Sequence, residues 1–309
     1  MDPVNPLAAD PSRVASLREV LMAHLAWLEL RPGGIRANLT DASLNEVNLE
    51  RANLHRAILN GAGLVGANLT GADLGGAVIE GADLRDAILS GADLTSAELT
   101  SGNLCGCLLA EACLAEATVR MTSFNGGNLR EVRMPEAKLH ECDFSGAVLQ
   151  SAGLHHISAF ETNFSHADLE NALLYHARLH HCRFTGANAS GANFGSARVQ
   201  YCDFRESVLK GTKFNRADLS GTDFCRASMA GCDLREARLN ATDFSGAVLT
   251  GAMFAAAETF TADLRNANLQ GARGFTAVQL TRARTDDRTI LPSGRPGPFV
   301  KGLGSERPY

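Results

Sequence analysis

The sequence predicts an all-β solenoid, in which short strands coil around one axis with 20 residues in each turn. The first observation is that every fifth residue from Leu39 to Leu269 is large and apolar, except Ala159, Ala189 and Thr259. The second is a small residue, usually Ala, two positions before each large one. The third is a column of phenylalanines at steps of 20. Its members are Phe124, Phe144, Phe164, Phe184, Phe204, Phe224 and Phe244.

A period of five fits neither a helix nor a strand, so each unit of sequence Ala-(Asp/Asn)-Leu-x-x must contain its own corner. Gly often fills the second x, as at Gly61, where a type II turn needs a positive φ. Pro135 stands at the first x, which such a turn accepts. The large and small residues then point inward and the Asp or Asn between them points outward. Four units per turn predict a four-sided coil, and residues 35–274 predict about 12 coils with the Phe rings stacked ~4.8 Å apart.

Residues 1–34 predict an N-terminal extension and a capping α-helix. Asp10-Pro11-Ser12 reads as a helix start, and Pro32-Gly33-Gly34 ends the helix. Apolar residues between them recur every three or four positions, as in an amphipathic helix. They are Val14, Leu17, Leu21, Leu25 and Leu28. The helix would cover the open strand edge of the first coil, with His24 and Trp27 packed on that coil or in contact with a ligand.

The C-terminal part leaves the repeat at Gly274. Residues 275–292 predict a C-terminal cap that contains a short helix, with Val278 and Leu280 as its apolar residues. Residues 293–309 are rich in Gly and Pro and are basic, and they predict a flexible tail.

Charge and cysteine usage exclude several classes of protein. The net charge is −5, and residues 35–119, with 11 acidic and 4 basic residues, carry −7. We therefore expect no direct binding of nucleic acid.

The eight cysteines lack metal-like spacing, and five of them occupy the small inward position. Without a secretory signal or an apolar run of ~18 residues, we expect no membrane association and a cytoplasmic location.

The repeat resembles that of the bacterial pentapeptide repeat proteins over about 235 residues. The segments Trp27-Leu28, Arg36–Leu39 and Asp286–Pro292 are similar to the flanking segments of that family. The resemblance implies a right-handed quadrilateral β-helix. The resemblance to family members that protect against quinolones or toxins also implies that the protein could imitate DNA and bind DNA gyrase or topoisomerase IV. Those members are typically more acidic and dimerise through a C-terminal hydrophobic end, whereas this chain has a neutral second half and a basic tail.

No catalytic constellation is visible in the sequence. Residues 61–66 match G-x-G-x-x-G, but Gly61 and Gly66 are consecutive corners and lack the strand and helix that a dinucleotide site needs. A filled coil also lacks a pocket for chemistry. We therefore predict that the protein is not an enzyme and has no cofactor.

Seven of the nine histidines lie in the segment from His140 to His181. The 20-residue turn predicts that several meet near one edge, beside Tyr175 and Phe160. They are His155, His156, His176, His180 and His181. Three interpretations stay open: an ordinary exposed patch, a partner-binding patch, or a weak metal site made by His156, His176, His180 and His181.

Charged residues also form columns at steps of 20. The acidic column consists of Asp203, Asp223, Asp243 and Asp263, and a basic column on the preceding face contains Lys138, Arg178, Arg198 and Arg238. Regular negative charge can imitate DNA phosphates, but alternating faces also keep a protein in solution.

The sequence favours a non-enzymatic interaction scaffold with an unidentified protein partner. The alternative is the DNA mimic that binds gyrase, and homodimerisation through a solenoid end is a further expectation. The partner-binding candidates are the acidic column and the histidine cluster with Tyr175.

Overall fold

The computed structural model describes residues 14–299, which form two compact units of about six turns each. The first unit ends at Ala152 and the second begins at Gly153. The predicted class, a parallel β-solenoid with a helix near each end, is confirmed. Each coil of a solenoid contacts only its neighbours, so the coils share no common core. Residues 1–13, with the expected helix start, and residues 300–309 of the expected tail lie outside the described range.

The first unit begins with helix α1, Val14–Leu28. The helix ends at Leu28, shortly before the predicted Pro32-Gly33-Gly34. The backbone N–H of Arg31 donates to the carbonyl of Ala26 at 2.8 Å and closes the last turn. Gly34 approaches α1 so closely that an added Cβ would lie 2.3 Å from the backbone nitrogen of Trp27. Only glycine fits this approach, which turns the chain into the first coil.

His24 joins α1 to the first coil. Its side chain is fully buried, and its Nδ1 accepts a hydrogen bond from the backbone N–H of Ala37 at 3.0 Å. The imidazole stacks on Trp27 with ring centroids 5.6 Å apart. Burial lowers the pKa of His24. The interpretation of His24 as a packing residue under the cap is confirmed.

Strands in the first unit are three residues long because a corner follows each one. They are β1 Val78–Glu80, β2 Glu98–Thr100, β3 Thr118–Arg120 and β4 Lys138–His140. They pair in parallel at an offset of 20, as in Ile79↔Leu99. The other three sides make single bridges at the same offset, such as Ser43↔Gly63, Asn48↔Asn68 and Asn53↔Asp73. Four sides per 20-residue turn are therefore confirmed.

The second unit repeats this arrangement. Its strands are β5 Ser158–Phe160, β6 Arg178–His180 and β7 Arg198–Gln200, and its helix is α2 Ala277–Arg282. The offset of 20 persists to Met253↔Arg273 and then becomes 21 at Asp263↔Arg284, because α2 is inserted in the last turn. The chain then continues along the last coil, where Gly297 N–H donates to the carbonyl of Thr289 at 2.7 Å.

Helix α2 ends the second unit with polar contacts. Thr276 and Gln279 form a capping box at its start. The Gln279 side chain is buried and donates from Nε2 to the carbonyls of Phe254 and Ala257, at 3.0 and 2.8 Å. The hydroxyl of Thr259, one of the three exceptions in the apolar repeat, donates to the carbonyl of Gln279 at 2.9 Å. A polar residue replaces the apolar one here because the helix presents a carbonyl at that position.

The corners have the predicted geometry. Their second residue is left-handed whether or not it is glycine, as at Gly61 with φ 64° and Glu46 with φ 59°. The turn closes between residues i and i+3, for example from the N–H of Ala62 to the carbonyl of Leu59 at 3.1 Å. Pro135 lies at the first corner position, which needs no N–H donor.

The core contains the predicted phenylalanine column. In the first unit, Phe124 and Phe144 stack with centroids 4.6 Å apart. In the second, Phe184 lies between Phe164 at 4.8 Å and Phe204 at 4.3 Å. A second stacked pair, Phe194 and Phe214, was not predicted from the sequence. Their centroids are 5.0 Å apart, and their rings lie nearly perpendicular to those of the column.

Candidate functional site

The predicted histidine cluster lies in the second unit at two neighbouring corners. We name these the histidine corners. The first consists of His155, His156, Tyr175 and His176, and the second consists of Phe160, His180, His181 and Tyr201. The expectation of one shared edge is corrected, because one side of the coil, which carries β5 and β6, separates the two corners.

The first histidine corner is a continuous set of ring contacts. His156 stacks on His176 of the next coil, with centroids 5.1 Å apart and planes tilted by 23°. Tyr175 meets His155 edge-on at 5.0 Å and also contacts His176 at 5.8 Å. The corner positions of successive coils are in register, so aromatic residues there form a short external ladder.

The second histidine corner is more exposed. Phe160 stacks on His180 at 5.8 Å, and His181 stacks on Tyr201 at 5.6 Å. His180 and His181 meet edge-on at 4.3 Å and join the two stacks. The exposed fraction is 36% for Phe160 and 58% for Tyr201. Tyr201 was absent from the predicted set, although it follows His181 by the same step of 20.

Cations line the surface between and beside these corners. Arg178 and Arg198 are exposed on β6 and β7 and are paired residues in the strand register. Arg183 is exposed just beyond the second histidine corner. Within residues 14–299, no carboxylate lies within 4.0 Å of these three guanidinium groups.

The weak metal candidates are divided between the two corners. His156 and His176 form one stacked pair, whereas His180 and His181 form an edge-on pair at the other corner. In the part of the chain that the structure describes, no three His, Cys, Asp or Glu side chains are grouped so as to hold a metal ion. A structural zinc site needs four convergent ligands, so this arrangement does not favour one.

The acidic column is in register, as the bridges Asp203↔Asp223, Asp223↔Asp243 and Asp243↔Asp263 show. Its charges are unequal. Arg205 donates to both oxygens of Asp203 at 2.9 and 2.6 Å, and Asp263 has a similar pairing with Arg265. Two of the four carboxylates are thus neutralised by an arginine on their own corner.

The pKa shifts follow this pairing. Burial raises the pKa of Asp203, but hydrogen bonds from Arg205 outweigh it and leave the pKa lowered. The pKa of Asp263 is lowered in the same way by hydrogen bonds from Arg265. Burial raises the pKa of Asp223, and the charges of Asp243 and Asp203 raise it further. The pKa of Asp223 is therefore raised even though Nε of Arg205 lies 3.7 Å from its carboxylate.

A groove lies beside α1 in the first unit. Its volume is about 380 Å³, and apolar side chains of the helix line it, including Leu21, Met22 and Leu25. It holds no pair of a nucleophile and a base. Across residues 14–299, no helix is both long enough and apolar enough to cross a membrane.

Solved structures with similar folds include three pentapeptide repeat proteins. HetL, involved in heterocyst differentiation regulation in the cyanobacterium Nostoc sp. strain PCC 7120, is 26% identical over 90% of this chain and 98% of its own, with a TM-score of 0.32. Rfr23 from the cyanobacterium Cyanothece 51142 is 23% identical over 35% of this chain and 63% of its own, with a TM-score of 0.23. A trypsin-treated form of QnrB1, a plasmid-mediated fluoroquinolone resistance protein, is 18% identical over 74% of this chain and 90% of its own, with a TM-score of 0.28. No curated protein sequence matches the chain.

Two family profiles match the repeat directly. The profile described as pentapeptide repeats (8 copies) matches residues 37–76, 72–110, 112–150 and 227–258. The profile described as a pentapeptide repeat region matches residues 157–233. Together they span more than half of the chain, and the offset of 20 residues between bridged positions agrees with them. The chain belongs to the pentapeptide repeat family.

Proposed function

We propose that this protein is a non-enzymatic protein-interaction scaffold and that the histidine corners form its partner-binding surface. The observation that carries the proposal is the contiguous set of exposed rings at the second histidine corner, with Phe160 and Tyr201 at its two ends. Exposed aromatic rings are the residues most often responsible for binding energy at protein interfaces. The repeat has inward positions for rings, and these rings lie outside them.

Photocrosslinking tests this proposal. Tyr201 is replaced by benzoylphenylalanine, a photoreactive amino acid, in the cells that encode the chain. The matched control carries the same group in place of Phe260, which is 63% exposed on another coil. We expect a discrete protein adduct from position 201 and not from 260. Adducts of equal yield from both positions, or from neither, would refute a specific surface at the histidine corners.

The alternative function is mimicry of DNA in binding DNA gyrase or topoisomerase IV, and the in-register acidic column favours it. Regular carboxylates resemble the dense charge of a duplex. The pairing of Asp203 and Asp263 with arginines weakens that resemblance. A supercoiling assay with and without a fluoroquinolone tests it. The informative variant is Asp223→Asn with Asp243→Asn, and Asp73→Asn with Asp93→Asn is its charge-matched control. No inhibition or protection at micromolar protein removes this alternative.

Compartment and assembly are proposed on separate grounds. All eight cysteines are free thiols, which fits a reducing cytoplasm. Helix α2 buries Gln279 and Leu280 at the C-terminal end, so a dimer through that end would use the outer face of α2, where Val278 is 54% exposed. Size-exclusion chromatography with light scattering measures the assembly. A monomer at high micromolar concentration would exclude this mode of dimerisation.

A further inference from the structure

We infer that the surface on both sides of the second histidine corner binds an acidic segment of a protein partner, with carboxylates against Arg178, Arg183 and Arg198 and an apolar side chain against Phe160 and Tyr201. This inference rests on the proposed function and adds the chemistry of the partner. We name this surface, which those five residues define, the arginine–aromatic face.

The register of β6 and β7 places two like charges side by side. Arg178 and Arg198 are direct Cα partners, and adjacent strands are ~4.8 Å apart. Like charges opposite each other on neighbouring strands destabilise a sheet. The fold does not relieve this repulsion, because neither guanidinium has a carboxylate within 4.0 Å among residues 14–299. An anionic partner would relieve it.

Five other arginines of the second unit form ion pairs. Arg205, Arg235 and Arg265 each pair with an aspartate two residues earlier, at 2.6, 2.7 and 2.5 Å. Arg216 and Arg226 pair with glutamates on neighbouring coils. The repeat can therefore bring a carboxylate to an outward arginine, and its absence within 4.0 Å of Arg178, Arg183 and Arg198 among residues 14–299 leaves three cations for an external anion.

The acidic groups around the face do not cancel these charges. Asp218 follows Arg198 in the strand register, but its carboxylate accepts hydrogen bonds from Gln200 at 2.7 Å and Ser220 at 2.6 Å. Glu161 is the remaining acidic residue at the second histidine corner, and it is exposed. Three arginines against Asp218 and Glu161 leave the face with an excess of one positive charge, on a chain whose net charge is −5.

A protein segment fits this face better than a nucleic acid does. Three cations neutralise about three phosphates, which gives only weak binding at physiological salt. A strand that continued along the coil axis past Arg183 would also meet the carboxylates of Asp203 and Asp223. A short acidic segment can end before them. Its apolar side chain would cover rings that are 36% and 58% exposed, at Phe160 and Tyr201.

Three fluorescent probes test the inference by anisotropy with the full chain: a random copolymer of Glu and Tyr, poly-L-glutamate, and a 20-nucleotide oligo-dT. The variant is Arg178→Glu with Arg198→Glu. Its matched control is Arg130→Glu with Arg133→Glu, which makes the same charge change at two exposed arginines of the first unit. Circular dichroism checks that both fold, and Arg178→Ala with Arg198→Ala replaces the first variant if it does not.

We expect the Glu–Tyr copolymer to bind more tightly than poly-L-glutamate, and the Arg178/Arg198 variant to lose about tenfold or more in affinity while the control keeps it. Equal losses in variant and control would mean diffuse charge attraction and would overturn the inference. Tighter, Arg178-dependent binding of oligo-dT would also overturn it and assign the face to nucleic acid. If the copolymer fails to bind while Tyr201 still crosslinks to a protein, the scaffold proposal stands and only the acidic chemistry is wrong.

Discussion

Removing one ring from the phenylalanine column is the sharpest test of the coil. Phe184 is fully buried between two parallel rings, with centroids at 4.8 Å to Phe164 and 4.3 Å to Phe204. Phe194 meets it edge-on at 6.2 Å. Phe184→Ala therefore removes the buried ring and three aromatic contacts, and leaves a cavity that the hydrogen-bonded coils on either side cannot close.

The expected cost is about 3–5 kcal/mol, the usual range for a buried phenylalanine. The two stacked contacts contribute about 0.5–1.5 kcal/mol each beyond area burial. Phe184→Leu, which keeps most of the volume, should therefore cost ~1–3 kcal/mol. Two controls should cost almost nothing: Phe260→Ala, whose ring is 63% exposed, and Phe299→Ala, whose backbone hydrogen bond to Thr285 the substitution keeps.

Urea unfolding followed by far-ultraviolet circular dichroism measures these differences. With an m-value of about 2–3 kcal/mol/M, the midpoint should fall by ~1–2 M for Phe184→Ala. Trp27 is the single tryptophan and belongs to the first unit, so its fluorescence reports that unit separately. Equal, small shifts for Phe184→Ala and Phe260→Ala would refute the stacked column and the 20-residue register behind it.

Three further predictions concern buried polar groups and thiols. Burial lowers the pKa of His24, so below pH 6.5 the unfolded chain takes up a proton that folded His24 resists, and the first unit should lose stability as the pH falls from 7.5 to 5.5. Trp27 fluorescence should show a smaller loss for His24→Asn, and an unchanged pH dependence in that variant would contradict the prediction. Gln279→Met should cost about 2–4 kcal/mol because two buried carbonyls lose their donor, against almost no change for exposed Val278→Ala in the same urea titration. Burial raises the pKa of Cys107 and of Cys232 to about 12, so neither thiol should react during brief alkylation at pH 8. Mass spectrometry should find the label on the half-buried cysteines, which are Cys105, Cys113 and Cys225. Fast labelling of Cys107 would mean that the coil opens.

The fold was predictable because its information is local. A large residue at every fifth position and Gly or a polar residue at each corner specify side length, inward face and turn within a few residues, and the structure agrees at Gly61 and Pro135. The sequence predicted most of the residues of the candidate site but not their arrangement at two separate corners. Steps of 20 bring His156 to His176 and His181 to Tyr201, but the assignment of the histidines to one edge was wrong, because one side of the coil lies between the two corners.

The repeat, the 20-residue offset and the stacked phenylalanines follow directly from the order of the amino acids, since each depends on spacing along the chain. Which outward charges remain available depends instead on contacts in three dimensions. Asp203 and Arg198 occupy equivalent outward positions on adjacent sides of the coil, yet Asp203 is held by Arg205 and Arg198 has no carboxylate within 4.0 Å among residues 14–299. The difference depends on which side chains can reach one another across a corner or between coils, and the repeat pattern does not contain that distance.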